Sequence, residues 1–413
     1  MKLSRIGRAS LAIAVSLAVG LGMTACGGGT IGFMWVLAAK QTSNGSGNSI
    51  TGFKIDDYTG NLTEMVHSPF TSGGVNPNFA VVRPGGRYVF ALNKGDGGTA
   101  GNIALFTVGG DGVLSFQQNY TSQGSNPQWI QMDSSGNFLY VLDRVAPANN
   151  PATATCPAGA IVKCGSITVF SVAGDTGRLT LVTNTTVKDT TGANITFFPV
   201  GLAPYTMKYV ASGALLVVDQ DQSIFSYVTN SSNGQLTLST NSVQKTNAVN
   251  ITSITTGGNY LYLTDGASNL IYAYTVANGV LQSVTASPFV NFVNQATPVW
   301  TLTESKGKYV YVLNQTTTNQ VTNFSSISAY TMDANGRLTP VSDNNNPYPV
   351  GAGPVCMVQD PSNKYVYTSN ANDGTVTGYE INQSTGQLNV LRRGSTFPVT
   401  GKPACLIVSG NVN

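Results

Sequence analysis

Five stretches of the chain carry one pattern: GRYVFALN (86–93), GNFLYVLD (136–143), GNYLYLTD (258–265), GKYVYVLN (307–314) and NKYVYTSN (363–370). Each leaves a turn residue, passes through tyrosines, phenylalanines and aliphatics, and closes on Asn, Asp or Thr-Asp. Short apolar runs of this kind, rich in Tyr and Val and bounded by turn formers, predict strands packed in a core. A hairpin pattern follows each one. SITGFKIDDYTGNLTEM (49–65) reads as strand, turn and strand, and six later segments repeat it. Aligned, they share an aromatic at Phe53, Phe106, Phe170, Tyr227, Tyr274, Tyr330 and Tyr379. They share a turn glycine at Gly60, Gly112, Gly177, Gly234, Gly279, Gly336 and Gly386. A leucine stands two residues later, at Leu62, Leu114, Leu179, Leu236, Leu281, Leu338 and Leu388. Glycine supplies the positive φ of a tight hairpin, and the aromatic and leucine fall at strand positions that can fill the gap between neighbouring sheets.

The first and last of these glycines are 326 residues apart over six intervals, a period of about 54. Four strands per period predict a propeller blade rather than a helical solenoid. An inner strand such as NPQWIQMD (126–133) precedes each Tyr/Val strand, and Pro/Gly-rich loops (SPFTSGGVNP, PYPVGAGP, TFPVTGKP) lead into the next unit. The expected fold is all-β, a seven-bladed β-propeller with four-stranded antiparallel blades. The first unit lacks an inner strand, and PACLIVSG (403–410) is an inner strand without a blade. The C-terminal strand is therefore expected to complete the first blade and close the ring, which removes exposed sheet edges. The blades fall at roughly 31–76 plus 403–410, 77–126, 127–203, 204–247, 248–297, 298–353 and 354–402.

The N-terminus lies outside this repeat. Lys2, Arg5 and Arg8 precede the apolar run LAIAVSLAVGLGM (11–23), too short to span a bilayer comfortably, and then MTACGGG. Small residues before Cys26 are similar to a bacterial lipobox. The expectation is a lipoprotein signal peptide over 1–25, lipidation at Cys26, a tether over 26–30 and an exported, lipid-anchored protein. Gly27, where an inner-membrane retention signal would have Asp, leans toward the outer membrane. Four other cysteines remain, an even count in an exported chain. Cys156 and Cys164 are expected to staple a loop. Cys356 and Cys405, each two residues after an inner-strand proline, are placed to bond across the last and first blades or to pack as free thiols.

Composition narrows the chemistry. Only 9% of residues are charged, and 21 basic against 18 acidic residues form no run. Nucleic acid is not expected as a partner. One histidine and no CxxC pair leave no metal site and no cofactor is implied. Loops at one mouth of the ring should gather Asn93, Lys94, Asp96, Asp143, Arg144, Asp219, Asp221, Asp265, Asn314, Asn370 and Lys402. Such residues could hold a small molecule, glycan or protein, and Asn and Asp equally serve local turn hydrogen bonds. Arg144 opens the cysteine-bearing insertion, which could fold over that mouth. Phe79, Trp129 and Trp300 read as inter-blade core, and His67 as an outer-strand end. A monomer is expected.

Over the mature chain, the combination of an inner-strand proline, the GxYVYVxN strand and the IxxYxxxxxxGxL hairpin resembles the seven-bladed lactonase propellers, the 6-phosphogluconolactonase-like family. The resemblance implies a cleft at one channel mouth in which His and Arg side chains act on a lactone. The family's late inner strand reads Gly-Pro-Arg-His, then apolar residues, then His-Pro. Here Gly353 and Pro354 match, whereas Val355, Cys356 and Asp360 replace the arginine and the two histidines, and Trp300 or its neighbours replace an earlier histidine. Lactone hydrolysis needs a base for water and a group for the oxyanion. Of the three glutamates, Glu64 and Glu380 fall on outer strands and Glu304 at a turn toward the opposite mouth. The expected function is thus a lipid-anchored binding or scaffold module; the alternative is a lactone hydrolase with a rearranged site.

Overall fold

The computed structural model describes residues 29–39, 48–153, 156, 163–294, 296–316 and 324–410. Every regular element among them is a strand, and the strands form seven antiparallel sheets arranged as the blades of one ring. The sixth blade shows the plan. Its inner strand Thr297–Thr303 pairs with Tyr309–Gln315, that strand with Ser326–Met332, and the last with Leu338–Pro340. The C-terminal strand Lys402–Gly410 pairs with Thr30–Ala39 and supplies the inner strand of the first blade. The signal segment and Cys26 lie outside the described residues.

Five blades depart from four plain strands. Their outer edge is made in two pieces, because a turn (in the third blade the longer segment 182–197) breaks the outer strand and a short fifth strand then resumes the pairing: Phe70–Thr71, Phe198–Leu202, Phe289–Val290, Tyr348–Pro349 and Thr396–Pro398. The break leaves third-strand amides without a ladder partner, and side chains at the turn replace it. Gly52 N–H donates to Ser68 Oγ at 3.0 Å, Ala273 N–H to Ser287 Oγ at 2.9 Å and Ala329 N–H to Asn346 Oδ1 at 3.1 Å. Each of these residues precedes a proline, so segments such as SPFTSGGVNP are edge strands as well as loops.

Blades meet through one recurring contact. The hairpin glycine of each blade lies on the ring that opens the second strand of the preceding blade. A methyl group at Gly386 would stand 2.3 Å from Tyr309, at Gly60 2.4 Å from Tyr365, and at Gly336 2.4 Å from Tyr260. Gly112, Gly177 and Gly234 sit likewise on Phe33, Tyr88 and Phe138. At four junctions the aromatic two residues further along the strand then donates to the same glycine's carbonyl. Tyr367 hydroxyl donates to Gly60 O at 2.7 Å, Tyr262 to Gly336 O at 2.9 Å and Tyr311 to Gly386 O at 3.1 Å. In the first blade the Trp35 indole N–H does so to Gly112 O at 3.0 Å. All seven glycines have positive φ. Both the backbone conformation and the ring above it exclude a side chain. Gly279 departs from the pattern, since the fourth blade opens its second strand with Ala214 and the glycine approaches Ser226 instead.

Two disulfides form. Cys156–Cys164 closes a loop of the insertion, and Cys356–Cys405 joins the inner strands of the seventh and first blades, with Cα atoms 5.2 Å apart. The second bond lies beside the junction of the first and last described strands, so covalent closure adds to the pairing of Lys402–Gly410 with Thr30–Ala39.

Tyr311→Phe removes the donor to a buried carbonyl while keeping the ring. Denaturant unfolding should show a loss of about 1 kcal/mol. An unchanged midpoint would mean that the hydroxyl contact carries no weight.

Candidate functional site

The seven inner strands line a central bore, and equivalent positions can be matched around the ring through their pairing. The position opposite Leu313 on the sixth blade is Trp300; its counterparts are Trp129 opposite Leu142, Phe79 opposite Leu92 and Cys356 opposite Ser369. Cys405, two residues after Pro403, bonds Cys356 at this level. Phe79 and Trp129 stack with centroids 4.2 Å apart, and Trp300 lies 6.0 Å from Trp129 and 6.2 Å from Phe79. These rings reach across the bore and meet one another, although the sequence reading placed them in the inter-blade core. They are bulky enough to span it, and a β-bulge before each re-aims the strand there.

This aromatic layer separates two cavities. Above it, at the mouth where inner strands begin, a space of about 990 Å³ is lined by Asn78, Lys94, Asp96, Ser122, Gln128's neighbour Pro127, Val355 and Lys402. Below it, a space of about 530 Å³ is lined by the rings themselves, by Val81, Gln131, Lys208, Thr255, Leu302, Val358 and Ile407, and at its far end by Pro84, Asp133 and Ser134. The larger chamber is cationic on one side. Lys94 is half-buried, bonds Gln128 Oε1 at 3.4 Å, and is held below the usual lysine range by burial and then by the charge of Arg144. Arg144 donates to Gln220 Oε1 at 2.8 Å. Lys402 is exposed at the rim, as is Asp96, whose carboxylate accepts the backbone N–H groups of Thr99 and Gly98.

The Asn and Asp residues that close the second strands occupy a different place. Asn93, Asp143, Asp219, Asp265, Asn314 and Asn370 are all at most 2% exposed. Each is used beneath the mouth to hold loops. Asp143 accepts from Ser122 Oγ at 2.6 Å, Gly124 N at 3.2 Å and Thr168 Oγ1 at 3.3 Å. Asp219 takes the amides of Leu202 and Gln220, and Asp265 those of Val249, Asn250, Ala267 and Ser268. Asn314 donates to Ser328 and accepts from Asn291, and Asn370 donates to Thr375 and Thr377. Asp221 pairs with Lys245 on the exposed edge of the fourth blade. The structure thus brings Lys94, Asp96 and Lys402 to one chamber with Arg144 close to Lys94, and sets Asn93, Asp143, Asp219, Asp265, Asn314 and Asn370 beneath the mouth.

At the lower mouth, Asp133, Glu304 and Asp360 cap inner-strand turns. Glu304 accepts from the amides of Lys306 and Lys308 and from Asn363 Nδ2. His67 stands in the turn within the broken first outer strand, exposed and at φ 65°. Among the described residues no cluster of His, Cys, Asp and Glu could hold a metal ion. Residues 154–155 and 157–162 of the insertion after Arg144 lie outside the described residues. Sequence reasoning missed Lys208 and the aromatic layer. The spacing that paired Cys356 with Cys405, two residues after Pro354 and Pro403, also holds for Phe79, Trp129 and Trp300 after Pro77, Pro127 and Pro298, and would have found the layer.

Comparison with known proteins agrees with this architecture. The family model described as lactonase, 7-bladed beta-propeller, matches residues 47–148 and 255–408. Similar solved structures include a Bacteroides fragilis protein assigned to the 6-phosphogluconolactonases, 19% identical, with a TM-score of 0.67, covering 92% of this chain and 98% of that one. The periplasmic gluconolactonase of Pseudomonas aeruginosa is 17% identical, with a TM-score of 0.66 over 92% of this chain and 99% of that one. A Lactobacillus plantarum protein is 15% identical with the same TM-score, over 92% and 100%. No curated protein matches in sequence.

Burial pushes the Asp143 carboxyl up to about 7, against the hydrogen bonds that favour its charged form. An acid whose folded pKa is raised binds more protons folded than unfolded, so its contribution to stability falls as pH rises from about 4 to about 7. Asn holds this position in three other blades, and the Ser122 and Thr168 hydroxyls can turn to accept. Asp143→Asn should fold, and denaturation at stepped pH should show the decline, on the order of 3 kcal/mol, flattened. An identical pH profile in the two proteins would refute this.

Proposed function

The chain belongs to the lactonase family of seven-bladed β-propellers, and from that premise we propose that it is a lipid-anchored, extracytoplasmic binding module without the family's hydrolytic chemistry. One observation carries the reading: of the positions where the family pattern has arginine and two histidines, the first is an aliphatic and the other two are spent on architecture. Val355 lines the upper chamber as an exposed aliphatic. Cys356 is fully buried and bonded to Cys405. Asp360, 3% exposed, accepts the amides of Ser362, Lys364 and Tyr365 at 2.6–2.7 Å, which leaves it no freedom to act on a ligand in the bore. Asp96 at the rim is held by the Gly98 and Thr99 amides of its own turn, and Asp143, beneath the chamber, is fully buried behind its three donors. A base must reach its proton, and these groups do not.

What the upper chamber offers instead is recognition. Lys94 and Lys402, with Arg144 near Lys94, put positive charge in a chamber also lined by Asn78, Ser122 and glycine-rich backbone, which suits a small ligand carrying anionic and hydroxyl groups. Two disulfides favour an oxidising compartment, in keeping with the lipobox-like segment before Cys26.

Purified protein should open no member of a lactone panel faster than buffer does. In calorimetry against sugar acids and sugar phosphates, Lys94→Ala should weaken binding about tenfold. Turnover that disappears in Asp143→Ala or Arg144→Ala would instead establish a rearranged hydrolase. Expressed in a bacterial host, Cys26→Ser should move the protein from the detergent-extracted membrane fraction to the soluble envelope fraction; retention in the membrane would contradict the anchor.

A further inference from the structure

The lower chamber is built unlike the upper one. In the layer below the aromatic rings, each blade presents one side chain to the bore opposite the middle of its second strand. The third, fourth and fifth blades give Gln131, Lys208 and Thr255, opposite Tyr140, Leu216 and Tyr262. The sixth, seventh, first and second give Leu302, Val358, Ile407 and Val81, opposite Tyr311, Tyr367, Trp35 and Phe90. All seven line the chamber. One arc is therefore polar with a single cation, and the facing arc is aliphatic, under a ceiling of Phe79, Trp129 and Trp300.

Lys208 is the anomaly. Among the described residues it has no ion pair and no hydrogen-bond acceptor, and the one ion pair recorded is Lys245–Asp221, far out on the blade edge. Burial alone depresses its ammonium, with no nearby charge to offset the cost. The other ionisable group of the chamber, Asp133, already accepts Phe138 N–H at 2.8 Å and the Ser135 hydroxyl. Lys208 is partly buried, so its ammonium reaches the chamber without a protein partner, and a methionine or leucine there would leave no cation to satisfy. The chamber volume of about 530 Å³ suits a small molecule, and it opens past Pro84 and Ser134, both exposed.

We infer that the lower chamber is a second ligand site, independent of the upper one, for a small monocarboxylate with a flat or aromatic body. Its carboxylate takes the Lys208 ammonium, with Thr255 and Gln131 beside it. Its apolar body lies across the bore against Leu302 and Val358, and its face meets the aromatic ceiling. A carboxylate on Lys208 supplies the counter-charge its ammonium lacks, and the stacking is of the kind that favours planar groups.

The test uses indole-3-acetate and its neutral amide on the full-length protein, read by calorimetry and by Trp fluorescence. The acid should bind saturably with a change in Trp fluorescence, at least tenfold more tightly than the amide. Lys208→Met should abolish that preference by weakening the acid alone, and its thermal midpoint should be unchanged or higher, which separates lost binding from lost folding. Equal affinity for acid and amide, a preference that survives Lys208→Met, or no saturable binding of the acid would overturn the proposal. Loss of acid binding in Lys94→Ala but not in Lys208→Met would place the ligand in the upper chamber and overturn it as well. Lactone turnover bears on the upper chamber alone and leaves this outcome unaffected.

Discussion

Glycine against ring is the contact on which the rest of the molecule depends. A propeller blade is a twisted sheet with two faces to cover, and each face must fit its neighbour at every junction around the ring. Here, at six of the seven junctions, the fit is set by a hairpin backbone pressed onto an aromatic ring of the adjacent blade, and at four of them a tyrosine or tryptophan also donates to the same glycine's carbonyl. Because Gly60 of the first blade lies on Tyr365 of the seventh, the seam is built like the other junctions. The C-terminal strand and the Cys356–Cys405 bond then secure it.

This contact explains why so much of the fold was legible in the sequence. The Tyr/Val strands and the Gly-x-Leu hairpins recur because each is half of one interface, and an interface repeated around a ring forces both halves to recur. The reading that glycine serves only a tight turn was incomplete, since the ring above Gly386 would exclude a side chain even where φ permitted one. The broken outer strands were not legible. Ser68, Ser287 and Asn346 before proline look like loop residues, and only the unpaired third-strand amides show why a side-chain acceptor is needed there.

The bore was harder to read for the opposite reason. Its positions are equivalent in structure yet free to differ, because nothing around the ring obliges Trp300, Phe79 and Cys356 to resemble one another. Lys208 carries no signature: TMKYV is an inner strand with one lysine, and its isolation becomes visible only when the facing residues of the other six blades are known to be neutral. The polar residues that do recur, Asn314 and its counterparts, turned out to serve loop anchoring. Recurrence marks architecture here, and departure from it marks the two chambers.

The central claim is that the two recurring signals are one interaction, and a double-mutant cycle reaches it most directly. Gly386→Ala is measured by denaturant unfolding in the native background and in Tyr309→Leu. The account predicts a cost of about 2–3 kcal/mol in the first and at least 1 kcal/mol less in the second, where only the positive-φ strain remains. Equal costs in both backgrounds would contradict it, and would return glycine to the role of a turn residue alone.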